Sequence, residues 1–303
     1  MSPNRLISLR FLRALLLASA ALGVAACSSD LSLGSLQSSA SGKDQKATAD
    51  AMLRSAQGAR DAGDLANAAT LYKTAYDMAP GRTDILVELA QTLGALGAQN
   101  EAAAAYRSAL EAAPKNADAL RGLGNTLIAL NQPRLALEQF QAALAIKPDP
   151  RLYNGMGVAH DMSGESATAQ ASYRSGLALA PNDPSLRNNL ALSMALAGDY
   201  GQAIGLLAKL VDEPRAGTRP RQNLALVYGL AGRDQDAAKL IRVDFDERTV
   251  QNNLAYYETL RGMATNRRAA AIFGVATLPP MPPPRKPETS AAELPAIAND
   301  AQP

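Results

Sequence analysis

The sequence is poor in the residue types that carry most covalent and metal chemistry. Its 303 residues include a single cysteine, Cys27, a single histidine, His160, and no tryptophan, while aromatic residues make up 4% of the chain. One thiol cannot form an intrachain disulfide or a metal site with several cysteines. His160 has no second histidine with which to share a metal, so we assign it a packing role. We find no P-loop, no HExxH motif and no nucleophile with a neighbouring base, and we predict no enzymatic activity, no cofactor and no small-molecule substrate.

A strong net charge is also absent. The formal net charge is +2, and Arg5, Arg10 and Arg13 lie in an N-terminal segment that we expect to be removed. Without them the chain has 27 basic and 28 acidic residues. Binding to nucleic acid requires a basic surface, because it depends on neutralising phosphates. We therefore predict no nucleic-acid partner.

Residues 1–26 have the pattern of a bacterial export signal. The basic start is followed by uncharged, mostly apolar residues from Ala14 to Ala26, which are too few to span a bilayer but suit a signal peptide. The residues VAAC, which end at Cys27, resemble the lipobox of bacterial lipoproteins. That resemblance implies acylation of Cys27 and, since Ser28 is not an aspartate, anchoring on the periplasmic face of the outer membrane. The alternative is an ordinary cleaved signal with an incidental cysteine.

Composition marks two segments that flank the folded part of the chain. Residues 27–46 comprise the lipidated Cys27 and a stretch rich in serine and glycine, which predicts a flexible tether. The last 25 residues contain 8 of the 18 prolines. We predict a proline-rich, disordered tail over residues 263–303, and a folded domain over residues 47–262.

Within the folded domain the chain repeats with a period of about 34 residues. A small residue recurs at Ala56, Ala90, Gly124, Gly157, Ala191 and Ala225, and an alanine follows each at Ala68, Ala102, Ala136, Ala169, Ala203 and Ala237. A turn-forming residue lies between them, at Gly63, Gly97, Asn131, Gly164, Gly198 and Gly232. The first four repeats add an aromatic residue at Tyr72, Tyr106, Phe140 and Tyr173, and a proline at Pro80, Pro114, Pro148 and Pro181.

Each recurring feature predicts one part of a helix pair. The glycine or asparagine supplies the left-handed conformation that ends the first helix. The small residues let two helices approach closely, and the aromatic side chain fills the space beside them. Proline cannot continue a helix and separates one pair from the next. Repeats five and six depart from the pattern, with Leu207 and Ile241 in place of the aromatic residue and Pro214 one residue early. No pair buries its apolar face alone, so we predict a solenoid.

The segment DALRGLGNTLIALNQPRLALEQFQAALAIKP, residues 118–148, resembles a tetratricopeptide repeat (TPR). The family pattern of L-G-x2-Y, A-x3-F and P is met by Leu123, Gly124, Ala136, Phe140 and Pro148, with Leu127 in place of the tyrosine. The resemblance implies an all-α fold, a right-handed superhelical solenoid of about six helix-turn-helix repeats that binds proteins. We expect a charged helix at about residues 246–262 to cap it.

The C-terminal half carries a second, more specific resemblance. The tripeptide Asn-Leu-Ala begins at Asn189, Asn223 and Asn253, the last in a closing Asn-Leu-Ala-Tyr-Tyr helix. In these features the chain resembles the TadD family, the TPR lipoproteins of the Flp, or tight-adherence, pilus system. That resemblance implies a pilotin-like role, with a secretin or another pilus assembly component as the protein partner. The alternatives are a TPR lipoprotein adaptor for outer-membrane barrel insertion or envelope hydrolases, or an enzyme, for which the sequence shows no acid–base set.

The helix period predicts which side chains face the concave side of the stack. A helix turns about 100° per residue, so positions 2, 6, 9 and 13 of a repeat, with the small residue at position 8, point away from the paired helix. The predicted partner groove comprises Arg151, Val158, Met162, Asn189, Leu192, Leu196, Arg219, Asn223, Leu226, Leu230 and Asn253. These amides and aliphatic side chains would suit a peptide backbone or an amphipathic helix. The alternative is that they pack against neighbouring repeats and bond locally. Repeats one to three place Asp50, Asp84 and Asp118 at position 2.

Overall fold

The computed structural model describes residues 42–213 and 217–274, and all regular structure in that part of the chain is α-helical. The first three helix pairs are α1 (Gly42–Asp61) with α2 (Leu65–Met78), α3 (Thr83–Ala95) with α4 (Gln99–Ala112), and α5 (Ala117–Ala129) with α6 (Pro133–Ile146). The next three are α7 (Pro150–Met162) with α8 (Ser166–Leu179), α9 (Pro184–Leu196) with α10 (Tyr200–Val211), and α11 (Arg219–Leu230) with α12 (Asp234–Ile241). Two further helices follow, α13 (Glu247–Arg261) and α14 (Thr265–Ile272). The predicted all-α solenoid is confirmed.

The pairs stack in chain order, and one helix of each pair forms a continuous surface. Each helix from α1 to α12 packs against its partner, and the second helix of each pair packs against the first helix of the next. In addition, α3, α5, α7, α9, α11 and α13 each contact the next member of that series. We call the surface formed by α3, α5, α7, α9 and α11 the inner face. It is the face that the helix period assigns to the concave side.

The predicted turn inside each pair is confirmed by the backbone. The six turn residues have positive φ angles: Gly63 82°, Gly97 80°, Asn131 56°, Gly164 82°, Gly198 87° and Gly232 74°. Among the described residues, Asn131 is the only one other than glycine with a positive φ. This left-handed conformation ends the first helix, and asparagine adopts it more readily than other residues with a side chain.

The predicted close approach of the helices at Gly124 and Gly157 is also confirmed. A Cβ atom added to Gly124 would lie 2.5 Å from Cε1 of Phe140, and one added to Gly157 would overlap the ring of Tyr173. Phe140 packs in addition against Gly155 of the next pair. Tyr72, Phe140 and Tyr173 have no exposed surface. The rings therefore lie in space that a larger side chain on the facing helix would remove.

The last two pairs pack without aromatic residues at the corresponding position. Leu207 is fully buried and Ile241 is 5% exposed. Both belong to the largest hydrophobic cluster, which extends from α7 to α14. The aliphatic side chains therefore take the buried position that the aromatic rings occupy in the first four pairs.

The folded part of the chain extends further than we predicted at both ends. α1 begins at Gly42 rather than at residue 47, and α13 coincides with the expected capping helix. The predicted start of the tail at residue 263 is wrong, because α14 forms there and buries Ala269 and Ala271. The run AAAIF favours a helix and supplies an apolar side, whereas the proline-rich composition begins only at Pro279.

Several predicted features lie outside the described residues. These are the signal sequence, Cys27, the tether as far as residue 41, Pro214 and residues 275–303. Among the helices that are described, none combines the length and the apolar character that crossing a membrane requires.

Candidate protein-binding face

A chain of asparagine side chains runs across the inner face in its C-terminal half. Nδ2 of Asn223 on α11 donates to Oδ1 of Asn188 on α9 at 2.7 Å. Nδ2 of Asn188 donates to Oδ1 of Asn189 at 3.1 Å, and Nδ2 of Asn189 donates to Oδ1 of Asn154 on α7 at 2.9 Å. The four amides therefore link three successive repeats. We call these residues the amide chain.

The amide chain serves packing and leaves capacity for a ligand. Its bonds join neighbouring repeats. The alternative that we left open from the sequence was that these side chains pack against neighbouring repeats and bond locally, and the bonds resemble it. An asparagine side chain has two N–H donors and two acceptor lone pairs, however, so one bond at each end does not exhaust it. Asn189 and Asn223 are half-buried rather than enclosed. The remaining donors and acceptors can therefore reach a peptide laid against the face.

A cavity of about 420 Å³ adjoins the amide chain. Five residues of the predicted groove line it: Val158, Asn189, Leu192, Arg219 and Asn223. The other walls come from Asn125, Ile128 and Ala129 on α5, from Asn188, and from Ile272, Phe273 and Gly274 at the end of α14. The mixture of amides, one cation and aliphatic side chains suits a peptide segment better than a small charged molecule.

The remaining residues of the predicted groove do not line this cavity. Met162, Leu196, Leu226 and Leu230 are between 3% and 8% exposed and belong to the hydrophobic cluster of the C-terminal half. Arg151 is exposed and its Nη2 donates to Asp149 at 2.6 Å. Asn253 is buried and donates to the backbone carbonyl of Thr249 at 2.9 Å. The structure therefore brings five of the eleven predicted residues together at the cavity and places the other six elsewhere.

Sequence reasoning missed α14, which packs on the inner face. This helix contacts α7 and α9 as well as α13, and Asn266 at its start lies beside Gly164. Arg268 bonds α14 to the end of α13. Its Nε donates to the carbonyl of Leu260 at 2.9 Å. Its Nη2 donates to the carbonyls of Arg261 at 3.1 Å and Met263 at 2.9 Å. These carbonyls are at a helix C-terminus, where backbone acceptors lack helical partners. The signal in the sequence was the run RRAAAIF, which has no counterpart in the repeats.

A buried carboxyl group behind the inner face was also missed. Asp161 on α7 has no exposed surface and accepts hydrogen bonds from Ser193 Oγ at 2.8 Å and Tyr173 Oη at 3.1 Å. Burial raises the pKa of Asp161 to about 7, against the hydrogen bonds, which lower it. The group ties α7, α8 and α9 together and is not open to a ligand.

The N-terminal half of the inner face carries ion pairs and has no linked chain of asparagine side chains among the hydrogen bonds of the described residues. Arg82 donates to Asp50 at 2.8 Å and to Asp84 at 2.6 Å, and Arg121 donates to Asp118 at 2.9 Å. Hydrogen bonding to Arg82 lowers the pKa of Asp84. A second cavity, of about 390 Å³, lies here and is lined by Gln91, Gln99, Tyr106, Asp118, Arg121 and Asn125 among others. The aspartates of position 2 are therefore paired with arginines.

Within residues 42–213 and 217–274, no three side chains of histidine, cysteine, aspartate or glutamate are grouped so that they could hold a metal ion. His160, for which we predicted a packing role, is mostly buried, and its Nδ1 lies 2.7 Å from Oε2 of Glu165 across the turn.

Comparison with known families decides the nature of the repeats. Two family models described as tetratricopeptide repeat match the chain, one at residues 95–157 and one at residues 53–117 and 154–218. Residues 53–218 are tetratricopeptide repeats. Beyond them, α11 and α12 continue the TPR array with the same pairing. The matches indicate no catalytic family. No curated protein sequence is significantly similar to this one.

Solved structures with the same fold include proteins of pilus systems. A tetratricopeptide repeat protein from Parabacteroides merdae is 18% identical with a TM-score of 0.61, over 72% of this chain and 91% of its own. PilW, a widely conserved type IV pilus biogenesis factor, is 20% identical with a TM-score of 0.60, over 68% of this chain and 98% of its own. PilF of Pseudomonas aeruginosa is 19% identical with a TM-score of 0.52, over 75% of this chain and 99% of its own. At these identities the similarity establishes the fold.

Proposed function

We propose that the protein is a lipid-anchored scaffold on the periplasmic face of the outer membrane that acts in assembly of a Flp-type pilus. Its TPR array binds a protein partner, a secretin or another assembly component, on the inner face. The observation that carries the proposal is the C-terminal half of that face, where three members of the amide chain line one cavity together with Val158 and Leu192. Such a lining offers hydrogen bonds and apolar contact to a peptide without requiring a particular charge.

Three further features support a pilus role. The type IV pilus biogenesis factor PilW has the same fold over nearly all of its length. The recurring Asn-Leu-Ala of the C-terminal half resembles the TadD family, and its first two asparagines, Asn189 and Asn223, are members of the amide chain. The lipobox at Cys27 would place the array beside an outer-membrane pore. A lipid anchor of this kind holds stably only with more than one acyl chain.

The proposal is tested by complementation of a strain that lacks the gene. The native chain should restore surface pili and the heat-resistant secretin multimer. Cys27→Ser should restore neither, and mass spectrometry of the native N-terminus should show Cys27 with added acyl chains. Normal pili in the deletion strain, together with reduced outer-membrane barrel proteins, would instead indicate an adaptor for barrel insertion. An unmodified Cys27 would remove the anchor from the proposal.

The role of the inner face is tested by a matched pair of double variants. Asn189→Ala with Asn223→Ala should lower capture of the purified secretin about tenfold, because each lost hydrogen bond contributes about 0.5–1.5 kcal/mol. Asn67→Ala with Asn100→Ala makes the same chemical change on the exposed outer helices α2 and α4 and should leave capture unchanged. Equal capture by both folded variants would exclude this face as the main site.

A further inference from the structure

The C-terminal half of the inner face already has an occupant, which is α14 of the same chain. Ala269 and Ala271 are buried in the cluster that includes Val158, Leu192 and Leu226, and Ile272 and Phe273 pack against it. The arrangement shows which chemistry fits this surface. It accepts a helix whose first apolar side chains are small and whose last ones are large.

By itself α14 is a weak helix. It has eight residues, and no side chain caps its N-terminus. Helices of this length are marginal in water, because the first turn is costly to form. Its first turn also carries Arg267 and Arg268 and no acidic residue, although the positive end of the helix dipole favours anions there. The conformation of α14 therefore depends on the inner face and on the bonds between Arg268 and the end of α13.

α14 also leaves part of the surface uncovered. The cavity of about 420 Å³ begins at Ile272, Phe273 and Gly274 and continues along the amide chain to Arg219. Most of the side chains that α14 buries are methyl groups. A longer helix with larger aliphatic side chains would bury more apolar area and reach the free amide groups, and would compete successfully for the same position.

We propose that the C-terminal half of the inner face binds an amphipathic helix of the partner protein in place of α14. The partner helix is longer than α14 and carries larger aliphatic side chains on the apolar side that it lays against this surface. This inference deepens the proposed function, since it names the kind of segment that the scaffold binds. It requires a protein ligand but not a pilus component. In the free protein α14 shields the apolar surface.

The test uses a fluorescent peptide with the sequence of residues 263–274 and the full chain carrying Cys27→Ser. In the native chain α14 competes with the peptide. The apparent affinity for the peptide is therefore the intrinsic affinity multiplied by the fraction of molecules in which α14 has left the face. Ala269→Glu with Ala271→Glu places charges on the buried side of α14 and should release it. This variant should bind the peptide at least tenfold more tightly than the native chain, as measured by fluorescence anisotropy.

Arg267→Glu is the matched control. It changes the net charge by the same amount on an exposed position of α14, and should bind the peptide no more tightly than the native chain does. Arg268→Ala is a second releasing variant that adds no charge to the groove. It should increase binding by a smaller factor, and it keeps the test valid if the double variant fails to fold.

Equal peptide binding by the native chain and by folded releasing variants would overturn the proposal, and so would no binding to any of them. A dimer of the native chain that the peptide dissociates would overturn it as well, because the occupant would then be a second copy. None of these measurements contains a pilus component. A failed peptide test would therefore count against the helix-binding surface and not against the pilus role. Failed complementation would count against the pilus role and not against the helix-binding surface.

Discussion

The inner face presents ion pairs in its N-terminal half and neutral amides in its C-terminal half. The ion pairs of Arg82 and Arg121 are partly exposed, and that of Arg121 with Asp118 lines a cavity. The amide chain lies beside apolar side chains that α14 helps to cover. The amide chain ties neighbouring repeats together, whereas among these ion pairs only that of Arg82 with Asp50 joins two helices. The amide chain also combines spare hydrogen-bonding capacity with apolar surface. The C-terminal half is therefore the part of the face that we propose as the binding surface.

Asp161 should produce the largest effect, and it belongs to the C-terminal half alone. Its pKa is about 7 in the folded chain against 3.8 in an unfolded one. The folded chain therefore retains a proton that the unfolded chain releases between pH 4 and 7, so stability falls as pH rises through this interval. Three pKa units correspond to roughly 4 kcal/mol.

Asp161→Asn should accordingly be more stable than the native chain at pH 8, by up to about 4 kcal/mol, with little difference near pH 4. Urea unfolding at both pH values measures the effect. Asp118→Asn, at an exposed position of the N-terminal half, is the control. A pH dependence that Asp161→Asn leaves unchanged would contradict the raised pKa.

Glycine substitutions compare the packing of the two halves. Gly124→Ala should cost about 1–3 kcal/mol, because the new Cβ would lie 2.5 Å from Phe140. Gly205→Ala, on α10 in a pair without the repeat aromatic residue, meets nothing within 4 Å and should stabilise the protein by about 0.5–1 kcal/mol. Thermal unfolding followed by circular dichroism compares them. The same sign for both variants would refute the role assigned to the aromatic rings.

The amide chain can be broken at its middle. Asn188→Ala removes the acceptor for Asn223 and the donor to Asn189. Because Asn188 is buried, its two former partners lose bonds in a poorly hydrated place, and we expect a cost of about 1–2 kcal/mol that does not depend on salt. Urea unfolding at low and high salt is the measurement. If the loss in free energy of unfolding disappears at high salt, the amide chain is not what connects the neighbouring repeats.

The ion pairs should give the smallest effect. Arg82→Gln removes the bonds to Asp50 and Asp84, whose side chains are 38% and 57% exposed. Pairs of this exposure contribute less than about 1 kcal/mol and are screened by salt. The destabilisation should therefore shrink as salt is added, in the same urea experiment. A larger loss in the free energy of unfolding that does not depend on salt would mean that the ion pairs and the amide chain stabilise the two halves alike.

The sequence predicted the features that recur and missed those that occur once. The positive φ of Asn131 and the contact between Gly124 and Phe140 followed from comparing repeats in phase. α14 has no repeat with which to be compared, and eight residues give too short a pattern. Asp161 was missed because periodicity does not reveal whether a carboxyl group is buried.

The candidate site was predicted in its centre and wrongly at its edges. Val158 and Leu192, at position 9, line the cavity, because the middle of each first helix faces away from its partner. Met162 and Leu196, at position 13, do not line it, and neither does Leu226, which is at position 9 of α11. A single-helix projection does not contain the neighbouring elements that decide which of these side chains reach the cavity.

We propose that the C-terminal half of the inner face is a helix-binding surface covered by α14. With Cys27→Ser the chain has no other thiol, so a single introduced cysteine reports exposure. Met162 is buried on α7, against which α14 packs, and it does not line the cavity. Met162→Cys should react with a thiol reagent at least tenfold faster when Ala269→Glu and Ala271→Glu release α14, whereas Gln91→Cys, beside the N-terminal cavity, should react equally fast in both backgrounds. Equal rates for Met162→Cys with and without the releasing substitutions would contradict this proposal.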